Sequence, residues 1–158
     1  MKNNEPIKQL SLNTNEITKY LEISSPFLMI DRIDNLIPGK SAHGIKILND
    51  DEWFFKCHMQ RDLAMPGTLQ VEAMLQTLVL TIYTMDGHEG KFSYISNIQT
   101  RLLSKISPAN QFDIYANLCS YNRGIAKGTA VGKIDDSNVC EGEFTFISPH
   151  DMPIPKLK

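Results

Sequence analysis

Between Leu63 and Met85 the chain carries one charged residue, Glu72, and a histidine, His58, stands fourteen positions before it. A carboxyl held in apolar surroundings disfavours its ionised form and becomes a proton donor near neutral pH, while imidazole is the side chain best suited to accept a proton there. Met65-Pro66-Gly67, between the two, adds a third group. Proline and glycine at a helix start leave backbone N–H groups unpaired at the positive end of the helix dipole, and glycine lets a carbonyl oxygen approach them closely. Base, acid and oxyanion donor in one short stretch suit removal of a proton beside a carbonyl, coupled to loss of a leaving group. Plainer readings exist for each residue. Glu72 could be a solvated helix residue facing a gap in the sheet, and periodicity alone favours that. His58 could be a structural histidine at the end of a strand.

The elements around this stretch follow from its neighbours. Leu69, Met74, Leu75, Leu78, Val79 and Ile82, with Val71, Ala73 and Leu80 between them, are apolar nearly all round, which marks a buried helix opened by Pro66 and ended by Asp86-Gly87. Asn13 with Glu16 three positions on predicts a short helix leading into "EITKYLE". "PFLMIDRI" (26–33) reads as a strand, with "SAHGIKIL" and "WFFK" as short extended segments after it. Beyond Lys91 four strand-like runs, "KFSYISNIQTRLLSKI", "QFDIYANLCSY", "GIAKGTAVGKI" and "VCEGEFTFI", are separated by the turns "SPAN", "NRG" and "DDSN". Strands without alternating helices imply an antiparallel sheet, so the expected class is α+β, with one sheet curled around a central helix. Such a sheet leaves the far side of the helix incompletely covered, which makes a partner subunit plausible. The first ten or so residues and the tail "SPHDMPIPKLK" are expected to be loose.

Composition narrows the function classes. The 158 residues fit one domain (1–158), and 42% hydrophobic with 22% charged residues is ordinary for a globular protein. A net charge of −2 gives no electrostatic reason to expect nucleic-acid binding. The N-terminus lacks an apolar signal-peptide core, and the run 68–85 is interrupted by Gln70, Glu72, Gln76 and four threonines, so neither secretion nor a membrane span is expected and the cytoplasm is. Cys57, Cys119 and Cys140 have neither a pairing count nor CxxC spacing, so a disulfide framework and a zinc site are both poor readings. Cys57 precedes His58 directly, but neighbours on a strand point to opposite faces, which argues against a nucleophile–base pair.

Three stretches carry a family resemblance: "PFLMIDRIDNLIPGKSAHGIK", "CHMQRDLAMPGTLQVEAMLQ" and "RGIAKGTAVGKIDDSNVCEGEFTF". They resemble the 3-hydroxyacyl-acyl carrier protein dehydratases of fatty acid synthesis, which have a hotdog fold, over roughly residues 18–148. The family's pattern runs approximately "GHFPGxPxMPGVLxxEAMAQ". The resemblance implies dehydration of a 3-hydroxyacyl thioester, carried on phosphopantetheine, to the trans-2-enoyl thioester. His58 would take the C2 proton, Glu72 would protonate the departing hydroxyl, and the Gly67 N–H would polarise the thioester carbonyl. It further implies no metal or diffusible cofactor, a homodimer or higher assembly of dimers in which facing histidine and acid come from different subunits, and an acyl tunnel along the helix. Met65, Leu69 and Phe55 are candidate tunnel residues, and Arg101, Lys105 and Arg123 are candidate receivers of an acidic acyl carrier protein, with a solvated strand face as the plainer reading of those three. Glutamate at 72, where the related dehydratase/isomerase group has aspartate, points to the plain dehydratase branch.

The departures lie around the histidine. Met59-Gln60-Arg61-Asp62-Leu63 replaces the family's Phe-Pro-Gly-x-Pro, Cys57 replaces a glycine, and Lys105 to Asn110 keeps one proline of "PxxPGD". A rewritten loop could mean a changed substrate or lost activity. Two rival readings follow: a hotdog thioesterase using Glu72 as base or nucleophile, and a non-catalytic acyl-binding or assembly subunit.

Overall fold

The computed structural model describes residues 8–155. In chain order these form β1 (Leu10–Leu12), α1 (Thr14–Leu21), β2 (Arg32–Ile37), β3 (Ser41–Ile47), α2 (Gly67–Tyr83), β4 (Tyr94–Leu102), β5 (Gln111–Asn122), β6 (Ile125–Ile134) and β7 (Ser137–Ile147). Single 3₁₀ turns lie at Trp53–Lys56 and Pro149–Asp151. The strands make one antiparallel sheet in the order β1-β2-β3-β5-β6-β7-β4, with α2 packed across its middle. This is the expected α+β hotdog arrangement.

Alternation on the strands sets which face meets the helix. Ala42, Phe112, Ile114, Ala116, Ala126, Ala130, Phe144 and Phe146 point inward and join Met74, Leu78, Leu80 and Ile82 of α2 in one apolar cluster. Gly44 is where the helix comes closest, since a Cβ there would lie 2.3 Å from Thr77 Oγ1. The threonines inside α2 bond back along the helix: Thr77 Oγ1 donates to Ala73 O at 2.8 Å and Thr84 Oγ1 to Leu80 O at 2.7 Å. Their hydroxyls are thereby satisfied inside the core. One stripe of α2 escapes burial: Thr68, Val71, Glu72 and Leu75, at helical spacing, are not fully covered. Among the described residues no helix is long and apolar enough to cross a membrane.

Several expectations need correcting. Residues 26–31 are not a strand; pairing begins at Arg32, and a turn over 25–27 precedes it. "WFFK" is a 3₁₀ turn rather than extended chain, because Phe54 and Phe55 side by side both reach the core. Cys57 caps that turn, so the strand argument separating it from His58 does not apply; its thiol instead faces the Trp53 and Phe54 carbonyls. Leu10–Leu12 pairs with β2, and Pro149–Asp151 is held by side-chain bonds, so neither end is as loose as expected. Residues 1–7 and 156–158 of those two expectations lie outside the described residues. Asn13 does cap α1, in a reciprocal pair of bonds with Glu16.

Candidate active site

The base candidate is set by the 3₁₀ turn. With Phe54 and Phe55 anchored in the core, the His58 N–H donates to Phe54 O at 2.9 Å and the ring Nδ1 lies 3.1 Å from Ala64 O. A carbonyl only accepts, so Nδ1 carries the hydrogen and Nε2 keeps its lone pair, the form needed to take a proton. His58 is half-buried. The rewritten loop closes on itself: Asp62 N–H donates to Met59 O at 2.8 Å, Met59 takes a left-handed φ of 45°, and Asp62 pairs with Lys105.

Helix α2 starts against the opposite wall. Met65 N–H donates to Ile106 O at 2.9 Å, and the Pro66 carbonyl receives Leu69 and Gln70 N–H at 3.0 and 3.1 Å. The Gly67 and Thr68 N–H groups find no protein acceptor among the described residues. Pro66 is the cap residue before the helix, one position earlier than its expected first-turn place. A Cβ at Gly67 would lie 2.3 Å from Leu102 Cδ1, the end of a half-exposed side chain that would have to swing aside. Gln70, buried in the same turn, donates to Met65 O at 3.2 Å while its Oε1 has no partner among the described residues.

The acid candidate is oriented by Gln76. Gln76 Oε1 accepts the Met29 N–H at 2.8 Å, while Nε2 donates to Phe27 O at 3.0 Å and to Glu72 Oε1 at 2.8 Å. The backbone partners fix which end of the amide is which: an N–H needs an acceptor and a carbonyl needs a donor. Glu72 Oε1 therefore receives a hydrogen bond, and Oε2 is left for other partners. Gln76 stands one turn after Glu72, the spacing at which helix side chains meet. That spacing was the available signal for its role; nothing in the sequence marks the Ala64 carbonyl as the partner of His58.

Within one chain His58 and Glu72 have separate partners and do not bond each other. Met65 and Phe55 are packed into the core, with Leu69 nearly so at the foot of α2. Among the expected carrier-facing cations, Arg101 pairs with Glu141 and Lys105 with Asp62. Arg123 sits in the β5–β6 turn, next to Gly124, whose carbonyl receives Ser148 N–H, at the opposite end of β5 from its start, five residues before which Ile106 O receives Met65 N–H. Geometry thus separates Arg123 from the other two. Among the described residues no cluster of three His, Cys, Asp or Glu is arranged to hold a metal ion.

Comparison with known proteins bears on this geometry. The family model described as a FabA-like domain matches residues 23–143. The chain belongs to the FabA-like family. It is 36% identical over 141 residues to the 3-hydroxyacyl-[acyl-carrier-protein] dehydratase FabZ of Syntrophomonas wolfei, covering 89% of this chain and 98% of that protein. The enzyme of the same name from Roseiflexus castenholzii is 36% identical over 136 residues, covering 85% and 95%. Among solved structures, the dehydratase heterocomplex ApeI:P from Xenorhabdus doucetiae superposes with a TM-score of 0.67 at 14% identity, over 84% of this chain and 90% of that one. At that identity the structural likeness speaks for the fold. Membership of the FabA-like family agrees with the resemblance read from the three sequence stretches.

Proposed function

We propose that this FabA-like chain is a 3-hydroxyacyl-[acyl-carrier-protein] dehydratase acting in fatty acid biosynthesis. The observation that carries the reading is the fixed Gln76 amide, which engages Glu72 Oε1 and leaves Oε2 facing outward on the uncovered stripe of α2. His58 Nε2 takes the C2 proton of the thioester. The C3–O bond breaks, Glu72 Oε2 gives its proton to the departing hydroxyl, and water leaves as the C2–C3 double bond forms. The unpaired Gly67 N–H at the helix start receives the thioester carbonyl as negative charge develops there. Proton transfer from imidazolium back to the carboxylate, directly or through water, resets the pair.

His58 and Glu72 of one chain do not meet, and a second copy supplies the missing half of each site. Two features support that reading. Strand β4 is an unpaired edge, with Ile98, Leu102 and Leu103 about half exposed (47%, 51% and 50%). Thr68, Val71, Glu72 and Leu75 are incompletely covered on α2, whose first residue, Gly67, lies against Leu102 at the end of β4. A partner that pairs along β4 and covers this stripe desolvates Glu72 and brings its own His58 towards it. Met65, Leu69 and Phe55 form the floor on which the acyl chain rests, Arg101 and Lys105 stand at the entrance used by the carrier, and the unpaired thiols of Cys57, Cys119 and Cys140 suit the reducing cytoplasm.

The test is incubation with 3-hydroxyacyl carrier proteins of several chain lengths and mass analysis of the products. An enoyl thioester lighter by one water supports dehydration. A free acid assigns the thioesterase reading instead, and tight binding of unchanged substrate assigns the non-catalytic one.

A further inference from the structure

Lys46 is the one charged side chain among the described residues whose charge is fully enclosed, with 8% of its side chain exposed. Its Nζ lies 2.6 Å from Glu52 Oε1 and 3.3 Å from Asp31 Oδ1. Neither carboxylate belongs to the proposed chemistry, and burying the ammonium is a poor route to stability, since its desolvation offsets the attraction to Glu52 (15% exposed) and Asp31 (41% exposed). What such a cluster does supply is a fixed distance between the segments that carry it.

Those segments are informative. Glu52 opens the 3₁₀ turn whose Phe54 carbonyl receives the His58 N–H. Asp31 is rigid: its N–H donates to Ile45 O at 2.8 Å and its Oδ2 accepts Ile47 N–H at 2.6 Å. It ends the 26–31 loop, whose Phe27 carbonyl and Met29 N–H hold Gln76 and through it Glu72. A second tie joins the same two segments, where Trp53 Nε1–H donates to Pro26 O at 3.0 Å. Contact is therefore continuous from His58 through the 3₁₀ turn, across Lys46 and Trp53, along the 26–31 loop to Gln76 and Glu72.

We infer that the Lys46 ion-pair bridge and the Trp53–Pro26 hydrogen bond are positioning devices, which lock the turn carrying His58 against the loop that orients Glu72. The inference rests on the dehydratase reading for its kinetic consequence only. Where the base of one chain works with the acid of its partner, this bridge links the two sites of a dimer. A disturbance in one bridge then misaligns the base of one site and the acid of the other.

Lys46→Met would leave the largely covered Glu52 carboxylate without its cation and cut both pairs at once, so gentler changes are the probes. Glu52→Ala cuts the bridge but leaves Lys46 paired with Asp31; Trp53→Phe removes the indole N–H and keeps an aromatic ring against Phe54. Each should lower kcat about three- to tenfold with KM within about twofold, the pattern of a misplaced catalytic group rather than lost binding. Glu52→Gln, which keeps an acceptor for the ammonium, should return kcat to within about twofold of the parent. Nitrogen-15 NMR of the imidazole rings supplies a readout independent of turnover, with His58 assigned from the His58→Ala spectrum. In Glu52→Ala and Trp53→Phe the His58 Nδ1–H tautomer signal should weaken or broaden. An unchanged kcat and an unchanged His58 signal, whatever happens to the melt, would overturn the inference. If the parent itself dehydrates nothing, the dehydratase reading falls and the His58 signal alone decides the bridge.

Discussion

The two ends of helix α2 are finished in opposite ways. At its C-terminal end, Tyr83 OH accepts Ser93 N–H at 2.8 Å and Ser93 Oγ meets Ser148 Oγ at 2.6 Å. Asp151 closes the corner with Lys91 at 2.7 Å and Tyr121 OH at 2.5 Å, and the His88 ring stands edge-on to Tyr121. Burial raises the pKa of Tyr83 and of Tyr121, so both stay neutral donors, while the Lys91 hydrogen bond holds Asp151 below the usual carboxylate range. The polar side chains of Tyr83, Lys91, Ser93, Tyr121, Ser148 and Asp151 all find partners inside the chain there. At the N-terminal end, the Gly67 and Thr68 amides and Gln70 Oε1 have no partner among the described residues, and Leu63, Leu102 and Leu103 are exposed. Both ends lie on the same helix under the same sheet. One meets its hydrogen-bonding needs by folding, and the other leaves amides and a buried amide oxygen open, which suits the proposed second copy and substrate.

The sharpest way to break that contrast is at Glu72. Glu72→Gln keeps size and hydrogen bonding but has no proton to give at neutral pH. Dehydration should fall by about two to four orders of magnitude, the usual contribution of a positioned acid. Substrate binding and the thermal melt should hold, since the amide fits and no charge is stranded. Unchanged turnover would return Glu72 to the role of a solvated helix residue.

Covering of the open end by a second copy is tested on β4. Ile98→Asp places a carboxylate in the proposed shared surface and should weaken dimerisation about tenfold or more, with activity falling in parallel. Light scattering across a concentration series reads the first effect. Mixed His58→Ala and Glu72→Ala chains should recover part of the lost activity, because one of two shared sites in each hybrid is intact. A fully active monomer would end the idea.

The sequence was readable where one local pattern suffices. The four runs after Lys91 are strand-like and separated by turn residues, and the all-round apolar run from Leu69 marks α2. Asn13 with Glu16 fixes the start of α1 because capping needs only three residues of separation. Residues 26–31 were misread because "PFLMI" is apolar for tertiary reasons: Met29 and Ile30 are buried by a loop lying on the core, not by strand pairing. "WFFK" failed similarly, since two adjacent phenylalanines facing one core fit a tight turn as well as a strand. In the site, the residue types at 58, 67 and 72 suggested the chemistry proposed above. Their supports did not, because Ala64 acts through its backbone and Lys46 meets Asp31 only once β2 and β3 have paired side by side.

A smaller effect is expected in the rewritten loop. Lys105 and Asp62 are 46% and 60% exposed, so their pairing is worth about 1 kcal/mol at most. Lys105→Ala should therefore lower kcat/KM by no more than about fivefold, with the parent's activity falling modestly as salt screens the pair. A larger loss, shrinking steeply as salt rises, would mean that Lys105 meets the substrate's acidic carrier directly rather than steadying the loop.

The smallest functional effect belongs to the closed end. Asp151 has a depressed pKa, first through the Lys91 hydrogen bond and then through Tyr121, so its folded-state carboxylate holds its proton less tightly than in the unfolded chain. The sign follows from that direction: its contribution is fully present above the ordinary carboxylate range and is lost as acid protonates the folded carboxylate. Asp151→Asn should lower the melt at pH 7 by about 2–4 °C, as expected for loss of about 1 kcal/mol in a domain of this size. Once the pH is below the lowered pKa of the folded carboxyl the variant and parent should melt together, because the parent's carboxyl is then protonated as well. Turnover at 25 °C should be unchanged throughout, since the corner lies at the other end of α2 from Glu72 and Gly67. The comparison is a pair of melts at two pH values with one rate assay. A lowered rate in a stable Asp151→Asn protein would show that the closed end also reaches the chemistry and that the division between the two ends is not the one the hydrogen bonds describe.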